Sequence, residues 1–334
     1  MPRQARIDAP GACHHIICRG IERRKIFLDD TDRDRFLLRL GVVLKKSSTR
    51  CFAWALIPNH FHLLLQTGNT PISDVMRRLT TGYAVEFNHR HNRAGHLFQN
   101  RYKSILCQLD LYLLELVRYI HLNPIRAEIV RSLPELRSHR YCGHGQLLGG
   151  KRYSWQETSE VLSRFGTNDH DARSKYERFV AEGLHAGKRP ELTGGGLVRS
   201  AGGWQEVVAA RRAGIFLNSD ERILGDSDFV ERVLQIAEEI VERESAYRAE
   251  GVDFEQVAAR VARLLKMDVA EIWRHGKEPT LVKARSLLCH WATHELGLTE
   301  TEVAARLGIT QSSVSRAAVR GEALAAVKDW KLSG

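Results

Sequence analysis

The run Trp54-Ala-Leu-Ile-Pro-Asn-His60-Phe-His62-Leu-Leu-Leu-Gln66 limits the fold more than any other stretch of the chain. Pro58-Asn59 interrupts two apolar runs, and this pattern predicts a β-hairpin whose second strand opens at His60. Successive side chains of a strand point to opposite faces, so His60 and His62 share one face and Phe61 and Leu63 the other. Two imidazoles side by side on a sheet can ligate one metal ion, or they can form a hairpin rim that binds nothing. The spacing alone leaves both readings open.

Further strands are predicted at 12–19 and near 104–108, with the hairpin strands at 50–57 and 60–66. A helix starts near Asp29 and Asp30 and runs through Lys46. Another opens at Thr70-Pro-Ile-Ser-Asp and carries Met76, Leu79, Tyr83, Ala84 and Phe87 at helical spacing. The order β-α-β-β-α-β predicts an α+β, ferredoxin-like antiparallel sheet. Both helices would lie on one face, leaving the other free for chemistry with His60 and His62 on it. Next, Leu113-Leu-Glu-Leu-Val-Arg-Tyr119-Ile-His-Leu-Asn123-Pro124 reads as an amphipathic helix ended by the proline, with Tyr119 and Asn123 on one face.

Charge narrows the partner. The formal net charge is +10 and the pI about 9.5, which favours a polyanion. No apolar run approaches twenty residues and no signal peptide is evident, so the expectation is a cytoplasmic protein without a membrane partner. The six cysteines are scattered without a CxxC pair, which argues against a disulfide scaffold or a zinc ribbon. Cys13-His14-His15 with Cys18 reads better as strand than as a zinc site.

Basic residues gather in two places. Arg19, Arg23 and Arg24 sit in the loop after the first strand. Asn88 to Lys103 interleaves Arg90, Arg93, Arg101 and Lys103 with Phe98 and Tyr102, a composition suited to gripping phosphates and stacking bases. A solvated basic loop is the plain alternative. Arg77 and Arg78 could extend such a groove.

The remainder reads as all-α. The expected division is residues 1–135, a helical connector over 136–250 with a Gly-rich linker near 187–203, and a last domain over 251–325. Ser138-His-Arg-Tyr141 and Tyr153-Ser-Trp155 look like a tail folded back on the first domain. Helices are expected at 162–182, with Tyr176, Phe179 and Val180 in the core, and also at 204–213 and 226–249. Thr299 with Glu302 predicts a capping box, Gly308-Ile309-Thr310 a short turn, and Gln311 to Arg320 a second helix. That is a helix-turn-helix pattern, with Gln311, Ser312, Ser313, Ser315 and Arg316 as candidate DNA-facing residues. A plain helical bundle would share it.

Several motifs in order carry a resemblance. Pro-Asn before the His-x-His strand, Gly95-His-Leu-Phe-Gln-Asn-Arg-Tyr-Lys103 and then Tyr-Ile-His-Leu-Asn-Pro resemble the single-tyrosine HUH transposases of the IS200/IS605 type, above all the REP-associated branch. The likeness covers roughly residues 1–135. It implies strand transfer on single-stranded, hairpin-bearing DNA through a 5′-phosphotyrosine on Tyr119. It also implies Mg²⁺ or Mn²⁺ held by His60, His62 and Asn123. Many family members use Gln as the third ligand, whereas this chain has Asn, as the REP-associated branch does. The two imidazoles fit Mn²⁺ better than Mg²⁺.

Roughly residues 252–323 resemble the C-terminal DNA-binding domain of the replication initiator DnaA, through Lys283-Ala-Arg285 and Leu-Thr-Glu-Thr-Glu-Val-Ala. The recognition-helix signature of that domain is replaced here by Thr-Gln-Ser-Ser (310–313), so duplex binding is expected without its target sequence. The chain is expected as a monomer or homodimer. A DNA-binding regulator with an idle nuclease centre and a relaxase-like nicking enzyme are the competing functions.

Overall fold

The computed structural model describes residues 11–68, 70–99, 101–150, 152–185, 192, 220, 222–274 and 276–332. The expected linker near 187–203 and the helix at 204–213 lie outside the described residues. The chain divides into two compact units, Met1–Val233 and Leu234–Gly334.

The first unit is built on a sheet. Strands β1 (Cys13–Arg19), β2 (Arg50–Ile57), β3 (His60–Gln66) and β4 (Lys103–Cys107) alternate with α1 (Asp30–Ser47) and α2 (Ile72–Arg90). β2 pairs antiparallel with β3, β3 with β1 and β1 with β4. The sheet is mixed, because a two-residue strand β5 (Ile223–Leu224) adds in parallel to β4 and gives the order β2-β3-β1-β4-β5. This fifth strand departs from the all-antiparallel expectation. It is too short to carry a hydrophobic pattern. Its place rests on Leu106 N–H donating to the Arg222 carbonyl and on paired bonds between the Gln108 and Asp226 side chains and backbone.

The two sheet faces are both covered. Phe36, Leu40, Val75, Leu79 and Tyr83 of α1 and α2 pack on Ile16, Trp54, Phe61 and Leu63. Against the other face, Phe52, Ala53, Ala55, Leu64 and Ile105 meet α3 (Leu109–His121), with Leu113, Leu116, Val117 and Ile120 as its buried stripe. The register of β2 shifts between Cys51 and Ala53, so Phe52 and Ala53 both join this second core. The face expected to be free is therefore largely occupied, and only the His60 end stays open. Beyond α3, the short α4 (Asn123–Arg126), α5 (Leu133–Ser138), α6 (His144–Leu147) and α7 (Ser159–Ser163), and the longer α8 (Asp169–Glu182), extend the same core through Leu136, Leu147, Val161 and Tyr176. Tyr153 meets Trp54 edge-on and Trp155 meets it at a tilt, and Trp54 Nε1 donates to Gln156 Oε1 at 2.8 Å.

The second unit is helical. Helix α9 (Ser227–Ala249) carries the division between the units. Helices α10 (Phe254–Leu265), α11 (Val269–Ile272), α12 (Pro279–His294), α13 (Glu300–Leu307) and α14 (Gln311–Lys328) follow. Their core joins Phe254, Val257, Val261, Leu288, Trp291, Val303, Leu307 and Val314. Thr299 and Glu302 form a reciprocal capping box, Gly308 ends α13 at φ 64°, and the Thr310 side chain caps α14. Helix α14 runs well past the expected Arg320.

Candidate active site

The strand register brings the histidines together. Ile17 lies opposite His62 and Arg19 opposite His60, so alternation puts His15, Ile17 and Arg19 on the face that carries both imidazoles. His62 is buried and His60 half-buried. Their ring centroids are 5.1 Å apart. Across from them, α3 presents Tyr119, whose ring centroid lies 5.9 Å from those of His62 and His15. Helix α3 ends at His121, two residues before Asn123. Leu122 keeps near-helical angles (φ −81°, ψ −7°), so Asn123 stays on the side of Tyr119.

These residues line one cleft of about 460 Å³ with Ile17, Arg19, Gln99, Arg101 and Lys103. Its lining holds three cationic side chains, two imidazoles, a phenol and two amides. No carboxylate lines it among the described residues.

Hydrogen bonds hold the inner end of each candidate ligand. The Nδ1 of His60 lies 2.7 Å from Asn59 Oδ1, and that of His62 lies 3.0 Å from His15 Nε2. With Nδ1–H donating in both, each Nε2 presents its lone pair, and neither Nε2 has a hydrogen-bond partner among the described residues. Asn123 Nδ2 donates to the Tyr119 carbonyl at 2.8 Å and to the Ile120 carbonyl at 3.4 Å, which leaves Oδ1 as an acceptor. The set therefore offers two neutral nitrogens and one amide oxygen, donors that suit Mn²⁺ or Mg²⁺. No group of three or more His, Cys, Asp or Glu is arranged to hold a metal among the described residues, so a site here depends on the amide.

Electrostatics keep the groups neutral. Burial lowers the His60 pKa to about 4, with help from Arg19. Burial also drives His62 well below the usual imidazole range, and His15, His60 and Arg19 add to it. Tyr119 is pushed upward by burial, while Arg126 and Arg19 pull against that rise. The Arg126 guanidinium stands 5.1 Å from the Tyr119 ring centroid.

The basic candidates separate by structure. Arg19, Arg101 and Lys103 reach the cleft, whereas Arg23 and Arg24 are exposed in the following loop, with Arg24 paired to Glu22 at 2.8 Å. Arg90 belongs to the fold: it bonds Asp29 at 2.6 Å and Asp32 at 2.5 Å. Arg93 packs over Phe87. Phe98 and Tyr102 pack against the α1–α2 core and line a second cleft. In the second unit, Ser312 and Arg316 are exposed and Gln311 and Ser313 half-buried. Ser315 is buried, so it is corrected to the core side of α14.

Sequence reasoning missed His15 and Arg126. Strand alternation in β1 puts His15 on the face of Ile17 and Arg19, but only the pairing of β1 with β3 brings it beside His62. Arg126, seven residues after Tyr119, required knowing that the chain stays helical past Leu122.

Residues 11–123 match the family model described as Transposase IS200 like. This transposase-like region holds every residue of the His60, His62, Tyr119 and Asn123 cluster. Two solved structures are similar to the chain. One is a REP-associated tyrosine transposase bound to a REP hairpin, at 18% identity and TM-score 0.37, covering 47% of this chain and 98% of its own. Another is a putative transposase from Deinococcus radiodurans R1, at 17% identity and TM-score 0.25, covering 35% of this chain and 92% of its own. No curated protein matched.

Proposed function

We propose that the first unit is a metal-dependent DNA strand transferase acting on single-stranded DNA that carries a hairpin. The observation that carries this reading is the convergence of Tyr119, His60, His62 and Asn123 with Arg19, Arg101 and Lys103 in one cleft. Hairpin DNA is the substrate suggested by the family likeness of residues 11–123 and by the named ligand of the REP-associated structure.

His60 Nε2, His62 Nε2 and Asn123 Oδ1 would hold Mg²⁺ or Mn²⁺. When bound, the ion withdraws charge from a non-bridging phosphate oxygen. The rest falls to the chain. Arg19, Arg101 and Lys103 neutralise the strand on either side of the scissile phosphate. Tyr119 Oη attacks phosphorus, the P–O3′ bond breaks, and the phenol proton leaves as the O3′ oxygen gains one. The products are a 5′-phosphotyrosine and a free 3′-OH. Because the phosphodiester becomes a phosphotyrosine ester, a second 3′-OH can rejoin it without ATP. Arg126, over the ring, favours the developing phenolate.

The test mixes protein with labelled hairpin DNA and Mn²⁺ and resolves the products on a denaturing gel. A covalent band that needs Mn²⁺ and vanishes in Tyr119→Phe and in His60→Ala supports the reading. Hairpin binding without such a band, unaffected by removing the metal or Tyr119, points to the DNA-binding regulator. Rejoining of two specific ends separates a transposase from a nicking enzyme.

For the second unit we propose duplex DNA binding through the N-terminal part of α14, supported by the exposed Ser312 and Arg316 near the Thr310 cap. Such an anchor would give a salt-dependent contact separate from the cleft.

A further inference from the structure

The end of the helix that carries Tyr119 is gripped from behind by α8. Tyr119 and Asn123 line the cleft, and His121 lies roughly 200° round the helix from Tyr119. Arg118 and His121, three residues apart, therefore form a second face of α3, turned away from the cleft. Tyr176 and Phe179, also three apart, form the facing pair on α8. The Tyr176 hydroxyl lies 2.8 Å from His121 Nδ1. The Arg118 guanidinium stands 4.0 Å from the Phe179 ring centroid, and Arg118 Nη1 donates to the Phe179 carbonyl at 3.2 Å.

Each half of this grip is itself anchored. Tyr176 Oη also lies 2.8 Å from His144 Nδ1 of α6. The hydroxyl has one proton, so Tyr176 donates to one imidazole and accepts from the Nδ1–H of the other. All three side chains are fully buried, in a low-dielectric interior that strengthens such bonds. Arg118 Nη2 reaches both Glu115 carboxylate oxygens at 2.7 Å, which keeps the guanidinium over Phe179. At the end of α8 the approach is closer still. A Cβ on Gly183 would stand 2.6 Å from Arg118 Cδ and 3.0 Å from Cδ1 of Leu122, the residue before Asn123.

These contacts do what apolar packing does not. Leu116 and Ile120 seat α3 on the sheet, but hydrophobic burial is non-directional. Hydrogen bonds and a cation over a ring prescribe distance and angle. The chain runs on through Leu122 at near-helical angles, so a turn or slide of His121 carries Tyr119 and Asn123 with it. Helix α8 lies outside residues 11–123, the stretch matched by the family model.

We infer that Tyr176 and Phe179 are positioning residues: through His121 and Arg118 they set where Tyr119 and Asn123 stand against His60 and His62. The inference rests on the strand-transfer reading only for the role of Tyr119 as nucleophile. The placement of its ring is measurable by itself.

The test follows the full chain, labelled with 3-fluorotyrosine, by fluorine NMR without metal or DNA. The Tyr119 resonance is the one missing from Tyr119→Phe. Tyr176→Phe keeps the ring and removes the hydroxyl. It should shift or split the Tyr119 resonance and leave that of Tyr83, in the core on the other sheet face, in place. Gly183→Ala, which pushes on Arg118 and removes nothing, should do the same, and it carries the test alone if Tyr176→Phe does not fold. Val161→Ala in α7, a buried change in the same core, should lower the melting temperature and leave the Tyr119 resonance unmoved. Covalent adduct formation on hairpin DNA with Mn²⁺ is measured in parallel and should slow by about 10–100-fold in Tyr176→Phe and Gly183→Ala only. A Tyr119 resonance unmoved in both variants, or moved equally by Val161→Ala, overturns the inference. Adduct formation at the wild-type rate in both variants removes the positioning role as well, and leaves the strand-transfer reading intact. A resonance that moves as expected in a chain whose wild type forms no adduct removes only the strand-transfer reading.

Discussion

His15 shows how much a single residue can decide. It is fully buried, and its Nε2 sits 3.0 Å from His62 Nδ1, so it sets which nitrogen of His62 faces the cleft. Groups that orient a metal ligand in this way typically matter about 10–100-fold in metal affinity or activity. His15→Ala is therefore expected to raise the Mn²⁺ concentration needed for half-maximal adduct formation by about 10–100-fold. Circular dichroism should remain that of a folded chain. An unchanged metal requirement would mean that His62 is oriented by packing alone. The sequence made His60 and His62 legible because a proline-bounded hairpin advertises its own alternation. It hid His15 because a buried histidine in a strand looks like core until the neighbouring register is known.

At the scale of elements, two contacts show why helices sit where they do. Arg90, at the end of α2, bonds Asp29 and Asp32 at the start of α1. Those bonds lower the Asp29 pKa, the largest cause being the hydrogen bond from Arg90. A depressed carboxylate stabilises the folded state fully above its unfolded pKa of about 3.9, and the gain disappears as pH falls through the lower folded value. Arg90→Ala should therefore lower the melting temperature at neutral pH, and the deficit should shrink below about pH 4. A deficit independent of pH would place the loss in packing instead. In α14, Gly321 faces α12 so closely that a Cβ would run into the Ser286 carbonyl and the His290 Cβ. Alanine is the better helix former by about 1 kcal/mol, but overpacking costs about 1–3 kcal/mol. The clash with rigid backbone decides the sign, so Gly321→Ala should destabilise the second unit in thermal melts. Element positions were legible wherever apolar spacing and caps agreed, as with Asp29 before α1 and Thr299 before α13. β5 was not, since two residues carry no period and its pairing depends on a partner strand far away in sequence.

At the scale of the molecule, the stretch matching the family model and the folding unit have different limits. The matched region ends at Asn123, whereas the unit containing it runs to Val233. The reason lies in the core behind α3. Leu136, Leu147, Val161, Tyr176 and Val180 are each essentially buried there, packed with Leu113, Leu116 and Ile120. Large apolar side chains contribute about 1.5–3 kcal/mol each when fully buried. Five of them together approach the 5–15 kcal/mol that holds an ordinary domain folded. The buried network adds to this, because the Tyr176 hydroxyl lies 2.8 Å from both His121 Nδ1 and His144 Nδ1, and His121 is two residues from Tyr119. A fragment ending at residue 135 would expose the back of α3 and strand His121 without its partner. It should fail to give a cooperative melt and should form no adduct, whereas the fragment 1–233 should do both. If the 1–135 fragment instead folds and cleaves, α5 to α8 are a covering that the proposed Tyr119 site does not need.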